Sequence, residues 1–371
     1  MKKSLLKIIV CPDCKASLSC KTGKIEDSEI KEGVLSCGSC KKSYRIKNFI
    51  PRFVDSDEYV DNFSLEWQRH RSTQLDSKTG EDESTSHFQR ITGFDLSKLK
   101  NSLFLDVGCG SGRYSDVVSN AGAQVIGIDL SFAVDAAYEN IGKRKNVDII
   151  QADVFRLPFK NETFDYIFSN GVLHHTPDCK VAFDQLPQLL KKGGQISIWV
   201  YSKKLHFLAT DLIRIITSRM NREHLYGVCK TVVEPIYSLV RLPVVGHPFR
   251  IFISTHRNRD WRLLDTFDWY SPLYQSKHSF SEVVAWFKEA GLMKIEKLDF
   301  PTAVTGRKLE MEKQKILKAY KEKKITIRGA AAALGIDYWQ MQELLEEAGL
   351  PVTDITDEEV KERKKKIMEM K

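Results

Sequence analysis

The chain has 371 residues, of which 42% are hydrophobic. That is enough to bury a full core, and too long for one compact domain, so two or three domains are expected. The net charge of +8 is mildly basic: it admits a nucleic-acid partner without requiring one. No stretch approaches the roughly 20 apolar residues of a membrane-spanning helix. The opening run MKKSLLKIIVCP leads into a cysteine motif rather than a small-residue cleavage site, so a cytoplasmic protein is expected.

That opening run reads as the first strand of a domain. Two CxxC knuckles follow, Cys11–Cys14 and Cys37–Cys40, 22 residues apart. Each such turn points two thiolates at one metal, and a segment this short can hardly build a core without one. A structural zinc on four thiolates is favoured over a redox pair, and Cys20 is spare. The order of two cysteine pairs, Tyr44-x-Ile46 and Ile50-Pro51 resembles a zinc-ribbon family that serves as an activator subunit for tRNA, rRNA and protein methyltransferases. The resemblance covers residues 1–54. It implies a structural Zn2+ on Cys11, Cys14, Cys37 and Cys40. The ribbon would then stabilise a catalytic domain, orient a substrate, or act as a plain scaffold.

Residues 55–100 are polar and punctuated. Phe63, Trp67 and Phe88 fit either a linker or helices that close as a lid over the next domain.

LFLDVGCGSGRYS (103–115) is a short apolar strand, a turn with three glycines and the start of a helix. A ligand can lie there against bare backbone and a helix N-terminus. The turn lacks the Gly-Lys-Ser/Thr of a P-loop, and Arg113 stands where the dinucleotide fingerprint GxGxxG needs glycine. Asp106 beside the turn suits a ligand carrying positive charge rather than a pyrophosphate. Strands ending near Asp129, Asp153 and Asn170 follow. Then come a helix over 186–192, a Gly-Gly turn and a fifth strand. Such alternation implies a parallel sheet with its site at the strand C-terminal ends. Asp129 has the position of an acid that grips ribose hydroxyls.

The ordered series DVGCGSG, GIDLS, QADVFRLPF, FDYIFSNGVLHH and LLKKGG resembles class I S-adenosylmethionine (SAM) methyltransferases over residues 100–200. The resemblance implies a Rossmann-like α/β sheet with SAM as cofactor. It puts Asp106, Gly108, Cys109 and Gly110 around the methionine part and Asp129 on the ribose. Leu130 would lie by the adenine, Asp153 would accept from its amino group, and Val154 would pack on the ring. Asn170 would lie beside the reactive methyl. His174 and His175 are the nearest titratable candidates for a general base, with Tyr201 behind them. Packing is an equal reading for either histidine.

The methyltransferase domain is expected over 101–308, with residues 203–278 as a helical substrate cap inserted after the fifth strand. Trp269, Tyr270, Tyr274 and His278 are either pocket residues or anchors. AVTGRK (303–308) reads as a last, antiparallel strand. Residues 309–371 change register to three helices, the second with four consecutive alanines, as in a helix-turn-helix. This segment resembles small antitoxin-like proteins of a poorly characterised prokaryotic family. Its third helix carries three glutamates and no lysine or arginine, which favours a protein partner or homodimer over DNA.

Three functions compete: methyl transfer to a small or lipid-linked acceptor, methyl transfer to tRNA or rRNA, and a non-enzymatic regulator that binds nucleic acid. The intact Asp106, Gly108, Gly110, Asp129 and Asp153 count against the third.

Overall fold

In the computed structural model, residues 1–54, 74–203, 208–242, 246–309 and 311–352 are described. Phe63, Trp67 and the lysine-rich segment 361–371 lie outside them.

The front of the chain forms an antiparallel meander of β1 (Leu18–Glu26), β2 (Glu29–Cys37), β3 (Ser43–Lys47) and β4 (Ile50–Arg52). The opening run is not a strand. Lys3–Lys7 is a 3-10 turn, and only Ile9 and Val10 make isolated bridges. Leu5 and Ile9 are buried by that turn, so burial rather than pairing uses the apolar run.

Behind the meander come α1 (Asp76–Thr79) and α2 (Glu83–Thr92). Phe88 and Ile91 of α2 are fully buried against one face of the sheet. Such burial contributes about 1.5–3 kcal/mol per side chain. The alternating core follows: β5 (Leu103–Val107), α3 (Arg113–Asn120), β6 (Gln124–Asp129), α4 (Ala133–Ala137), β7 (Val147–Gln151), β8 (Phe164–Asn170), α5 (Cys179–Asp184) and β9 (Leu190–Trp199). After the insert, β10 (Leu292–Lys297) and β11 (Ala303–Lys308) complete the sheet, with β11 antiparallel to β9 as expected.

The strand order is β1-β2-β3-β4-β7-β6-β5-β8-β9-β11-β10. The core is thus a doubly wound α/β sheet. Its order reverses between β5 and β8, which places a ligand site outside their C-terminal ends. The meander is continuous with it: β4 lies parallel to β7 through Arg52 and Gln151. One hydrophobic cluster joins Met1, Leu5, Ile9, Tyr44 and Phe53 to Leu105, Ile126 and Ile150 of the core strands.

The helix expected over 186–192 is absent. Pro187–Leu189 is a 3-10 turn, and β9 already starts at Leu190, pairing with Phe164. The helical stretch lies earlier, as α5, and Asp178 caps it.

The insert contains α6 (Leu208–Thr217), α7 (Arg222–Val240) and α8 (Arg259–Tyr270). Leu225, Cys229, Val233, Ile253 and Phe267 give it its own small core. Then α9 (Phe280–Glu289) opens with a reciprocal Ser279–Glu282 capping box. The last helices are α10 (Met311–Lys321), α11 (Ile327–Leu334) and α12 (Tyr338–Glu347). Gly335 turns α11 toward α12 with φ +66°, and the cluster of Leu317, Ile327, Ala330 and Met341 rests on Met293 of β10.

Candidate active site and metal centre

The glycine turn after β5 is built by close approach. Gly108 has φ +79°, and a Cβ there would stand 2.3 Å from Val172 in the loop after β8. Only glycine lets these two loops meet. The amides of Gly108 and Cys109 both donate to the Ile128 carbonyl at 2.8 Å, which fixes the turn against the end of β6.

Asp106 is buried, and its Oδ2 accepts from the Ser115 hydroxyl at 2.7 Å. Burial pushes its carboxyl up to about 7; Ser115 opposes the shift and the nearby Asp129 adds to it. Burial also drives the Cys109 thiol well above its usual range, so Cys109 is a packing residue beside Gly127, not a nucleophile.

Asp129 ends β6 facing the turn. Its Oδ2 accepts from the Gly110 amide at 3.0 Å, and its Oδ1 accepts from the Ser131 amide at 2.8 Å and hydroxyl at 2.7 Å. Burial raises its pKa against these three donors. A carboxylate has about four lone-pair sites. Two ribose hydroxyls would therefore require the Ser131 hydroxyl to rotate away.

Leu130 follows, half-buried, and its carbonyl accepts from Gln151 Nε2 at 3.0 Å. Asp153 lies past the end of β7. Its Oδ1 accepts from the Phe155 amide at 2.9 Å, which caps the turn Val154–Arg156 and fixes the half-buried Val154. Asn170 ends β8 with its Oδ1 buried and unpartnered, while its side chain reaches the Tyr114 hydroxyl. An orphaned acceptor at the same end of the sheet as buried Asp106 and half-buried Asp129 fits a ligand that brings positive charge and donors.

A second group stacks behind it. The His174 ring lies 3.9 Å from the Tyr201 ring and 4.1 Å from that of His175. His174 is fully buried, and its Nδ1 accepts from the Tyr201 amide at 3.3 Å. Burial, with His175 beside it, holds it well below the usual histidine range. His175 Nδ1 lies 3.1 Å from the Tyr274 carbonyl, which can only accept, so Nδ1 carries the proton and Nε2 keeps its lone pair. Burial lowers His175 to about 4, against that carbonyl. Both histidines are neutral at pH 7, and both are weaker bases than an efficient proton acceptor there. Tyr270 is an anchor: it is buried and its hydroxyl donates to the Phe252 carbonyl at 2.9 Å. The main chain of His278 donates to the Tyr201 carbonyl at 2.8 Å, tying the insert's exit to the end of β9.

His87, Arg113 and Trp261 join α2 and the insert to this site, contacts that no local sequence signal announced. His87 of α2 bonds the Tyr114 hydroxyl at 2.7 Å, and burial beside Arg113 and Arg90 lowers it to about 3. Arg113 donates to Ser84 of α2 at 2.9 Å. Its guanidinium stands 4.8 Å from the Tyr114 ring and 4.7 Å from that of Trp261 in α8. The residue that broke the dinucleotide pattern thus links α2, α3 and α8. By contrast, a depression of about 400 Å3 lined by Lys100, Asp165, Lys192 and Arg307 opens at the opposite, amino-terminal end of the core strands. It is lined by the amino-terminal residues of β8 and the Gly193-Gly194 turn, and by none of the candidate SAM residues.

Cys11, Cys14, Cys37 and Cys40 form a candidate metal centre. One ligand atom from each lies within 4.8 Å of all the others. The Cys11–Cys40 and Cys14–Cys37 sulfur pairs are 3.5 and 3.4 Å apart. Four thiolates bound at about 2.3 Å around a tetrahedral ion would be separated by about 3.8 Å, so the donor set fits zinc. Tyr44 donates to Asp13 Oδ2 at 2.7 Å and lies 3.3 Å from Cys11 Sγ. Asp13 also pairs with Arg156, and Lys15 donates to the Leu157 carbonyl at 2.7 Å. The first knuckle therefore grips the loop that carries Asp153 and Val154.

Residues 105–198 match the family described as "Methyltransferase domain". Residues 2–48 match "Trm112p-like protein", and residues 302–366 match "Uncharacterised protein family (UPF0175)". Among curated relatives, "Probable tRNA methyltransferase 9B" of Bos taurus is 31% identical over 130 residues, 33% of this chain and 27% of that protein. "Demethylmenaquinone methyltransferase" of Staphylococcus aureus strain JH9 is 32% identical over 106 residues, 28% of this chain and 44% of that protein. The chain thus spans between a quarter and a half of the length of these relatives. A solved complex containing the Haloferax volcanii Trm112 methyltransferase activator aligns with 69% of this chain and 100% of its own, at 13% identity and a TM-score of 0.40.

Proposed function

We propose that this protein is a SAM-dependent methyltransferase whose activator-like zinc ribbon is built into the same chain. The observation that carries the reading is the Gly110–Asp129 bond across the end of β5 and β6, where the sheet order reverses. Asp129 would take the ribose, with Leu130, Asp153 and Val154 at the adenine. Asp106, Gly108, Cys109 and Gly110 would line the methionine part. SAM supplies a methyl group on a sulfonium, already activated for in-line displacement. The chain's own task is to position the acceptor and exclude water. Arg113, Trp261 and α2 do the excluding, and Asn170 faces the reacting group. His175 Nε2, with His174 and Tyr201 packed beside it, accepts a hydrogen bond that orients the nucleophile. Zinc on the four cysteines is structural.

The acceptor is a small or lipid-linked molecule, with residues 203–278 as the cap over it. The second reading is tRNA or rRNA, supported by the Trm112p-like match at 2–48. Residues 309–371 serve a protein partner or a homodimer, and the protein works in the cytoplasm. Incubation with methyl-labelled SAM and fractionated cell extract tests the reading. Label in the lipid or small-molecule fraction is expected. Label in RNA supports the second reading, and label in no fraction removes both.

A further inference from the structure

A helix on the surface of a folded protein turns its apolar side to the core and its polar side to water. Helix α6 does the reverse. It is held to the rest of the insert by polar groups. Buried Arg214 donates to the Trp269 and Pro272 carbonyls, each at 2.8 Å, and Thr217 donates to the Tyr270 carbonyl at 3.1 Å. Asp211 pairs with Lys277 at 2.5 Å. Its large apolar residues face outward: Leu212 and Ile216 are 68% exposed, Ile215 is 59% exposed, and Ile213 is exposed as well. Leu212, Ile215 and Ile216 are spaced three and four apart, so they form one ridge. Arg219 continues it, its guanidinium folded back onto the Ile215 carbonyl. Helix α7 repeats the pattern. Leu225, Cys229 and Val233 are buried in the insert's core, while Val228, Val232 and Leu239 are exposed along a second ridge at helical spacing.

The exposed charge on this insert is predominantly positive. Among the described residues of 208–278, Arg219, Lys230, Arg241, Arg250, Arg257 and Arg259 are exposed cations, against the exposed carboxylates Glu223 and Asp260. An apolar stripe ending in arginine, on a cationic element, complements an anionic lipid surface: the side chains enter the headgroup boundary and the cations meet the phosphates.

We propose that the outward faces of α6 and α7 dock the protein on an anionic membrane surface. No helix of the described residues is long and apolar enough to cross one, so the contact is interfacial. The docking goes beyond the methyltransferase reading and does not depend on it, because it needs neither SAM nor catalysis.

The test is co-sedimentation of the full chain with phosphatidylglycerol-containing vesicles and with pure phosphatidylcholine vesicles, at low and high salt. The chain should pellet with the anionic vesicles and be released by salt. The double variant Ile215→Gln, Ile216→Gln should bind about tenfold more weakly, since two apolar side chains no longer enter the lipid. Arg219→Glu should lose binding to anionic vesicles only. These positions are exposed, so both variants should keep the parent's melting temperature and SAM affinity; a variant that does not is replaced by the single change Ile216→Gln. Failure of the parent to pellet, or equal binding by the double variant, overturns the proposal. Light scattering provides the other overturning result: a stable dimer that the double variant dissociates would assign the ridges to a second copy of the chain.

Discussion

Arg52 Nη1, at the end of the cysteine-bearing ribbon, donates to Gln151 Oε1 at 2.8 Å, at the one register point where ribbon and core sheet pair in parallel. Its Nη2 meets Asp135 of α4 at 2.6 Å. Gln151 in turn holds the Leu130 carbonyl. A ribbon side chain therefore sits two hydrogen bonds, through Gln151, from the loop expected to carry adenine. Arg52→Ala leaves the buried Gln151 oxygen without its donor, which costs about 1–3 kcal/mol. Urea melts should show that loss, and calorimetry should show weaker SAM binding. Arg52→Lys keeps one charge near Asp135 but not the two-pronged contact, so it should recover only part of both. Unchanged SAM affinity in Arg52→Ala would separate the ribbon from the cofactor loop.

Metal loss should reach the same loop by another route. Elemental analysis should find one zinc per chain, and Cys14→Ser should abolish it. With the knuckle open, Asp13 and Lys15 lose their fixed geometry against Arg156 and Leu157. The variant should then bind SAM more weakly although it touches no SAM residue. Metal-free protein purified without chelator refutes the zinc assignment.

Asp106 predicts a pH dependence whose sign follows from its burial. Its folded pKa, about 7, lies above the unfolded carboxyl value. The folded state thus holds the proton more tightly, and this group's contribution to stability falls as pH rises from about 4 to 7. A positively charged ligand favours the ionised form, so binding should release a proton. SAM affinity should rise with pH up to about 7 and then level off. Titration in buffers of different ionisation enthalpy measures the proton, and Asp106→Asn should flatten the profile.

The glycine turn, Asp106 and Asp129 are legible in the chain because strand, turn and helix are local. Each residue's task follows from neighbours a few positions away or one strand over. The three C-terminal helices are legible for the same reason. The contacts of Arg113 are not: Ser84 and Trp261 come from other elements, and only the folded chain brings them to one guanidinium. The expected helix over 186–192 failed because Leu186, Leu189 and Leu190 imitate helical spacing. Pro187 starts only a short turn, and pairing with β8 draws Leu190 into the sheet. The junction of ribbon and sheet rests on one short strand, too little pattern to read.

Asp129→Ala removes the acceptor for three donors at once, so it should loosen the glycine turn as well as any ribose contact. The expected loss in SAM affinity is on the order of 2–4 kcal/mol. Asp129→Asn should also be impaired, because one amide oxygen cannot serve the Gly110 amide and both Ser131 donors. Calorimetry with an unaltered dissociation constant in either variant would falsify the site.

The carboxy-terminal helices should be separable from cofactor binding. Their cluster of Leu317, Ile327, Ala330, Met341 and Leu345 is internal to residues 309–352, and it touches the sheet through Met293. Truncation after Lys308 leaves β11 paired with both β9 and β10, so the sheet closes without the tail. Met293 gains solvent, and the melting temperature should drop by a few degrees at most. SAM affinity should be unchanged, because none of the candidate SAM residues lies beyond Lys308. What the tail offers a partner is an acidic third helix with exposed Glu343 and Glu346, and Trp339 at 75% exposure. Few cations displace few counterions, so the tail should add little affinity for duplex DNA. Sedimentation of full-length and truncated protein should differ in oligomeric state or in partner recovery. If truncation instead abolishes a tight, salt-sensitive affinity for DNA, the tail is a nucleic-acid reader and the regulator reading returns.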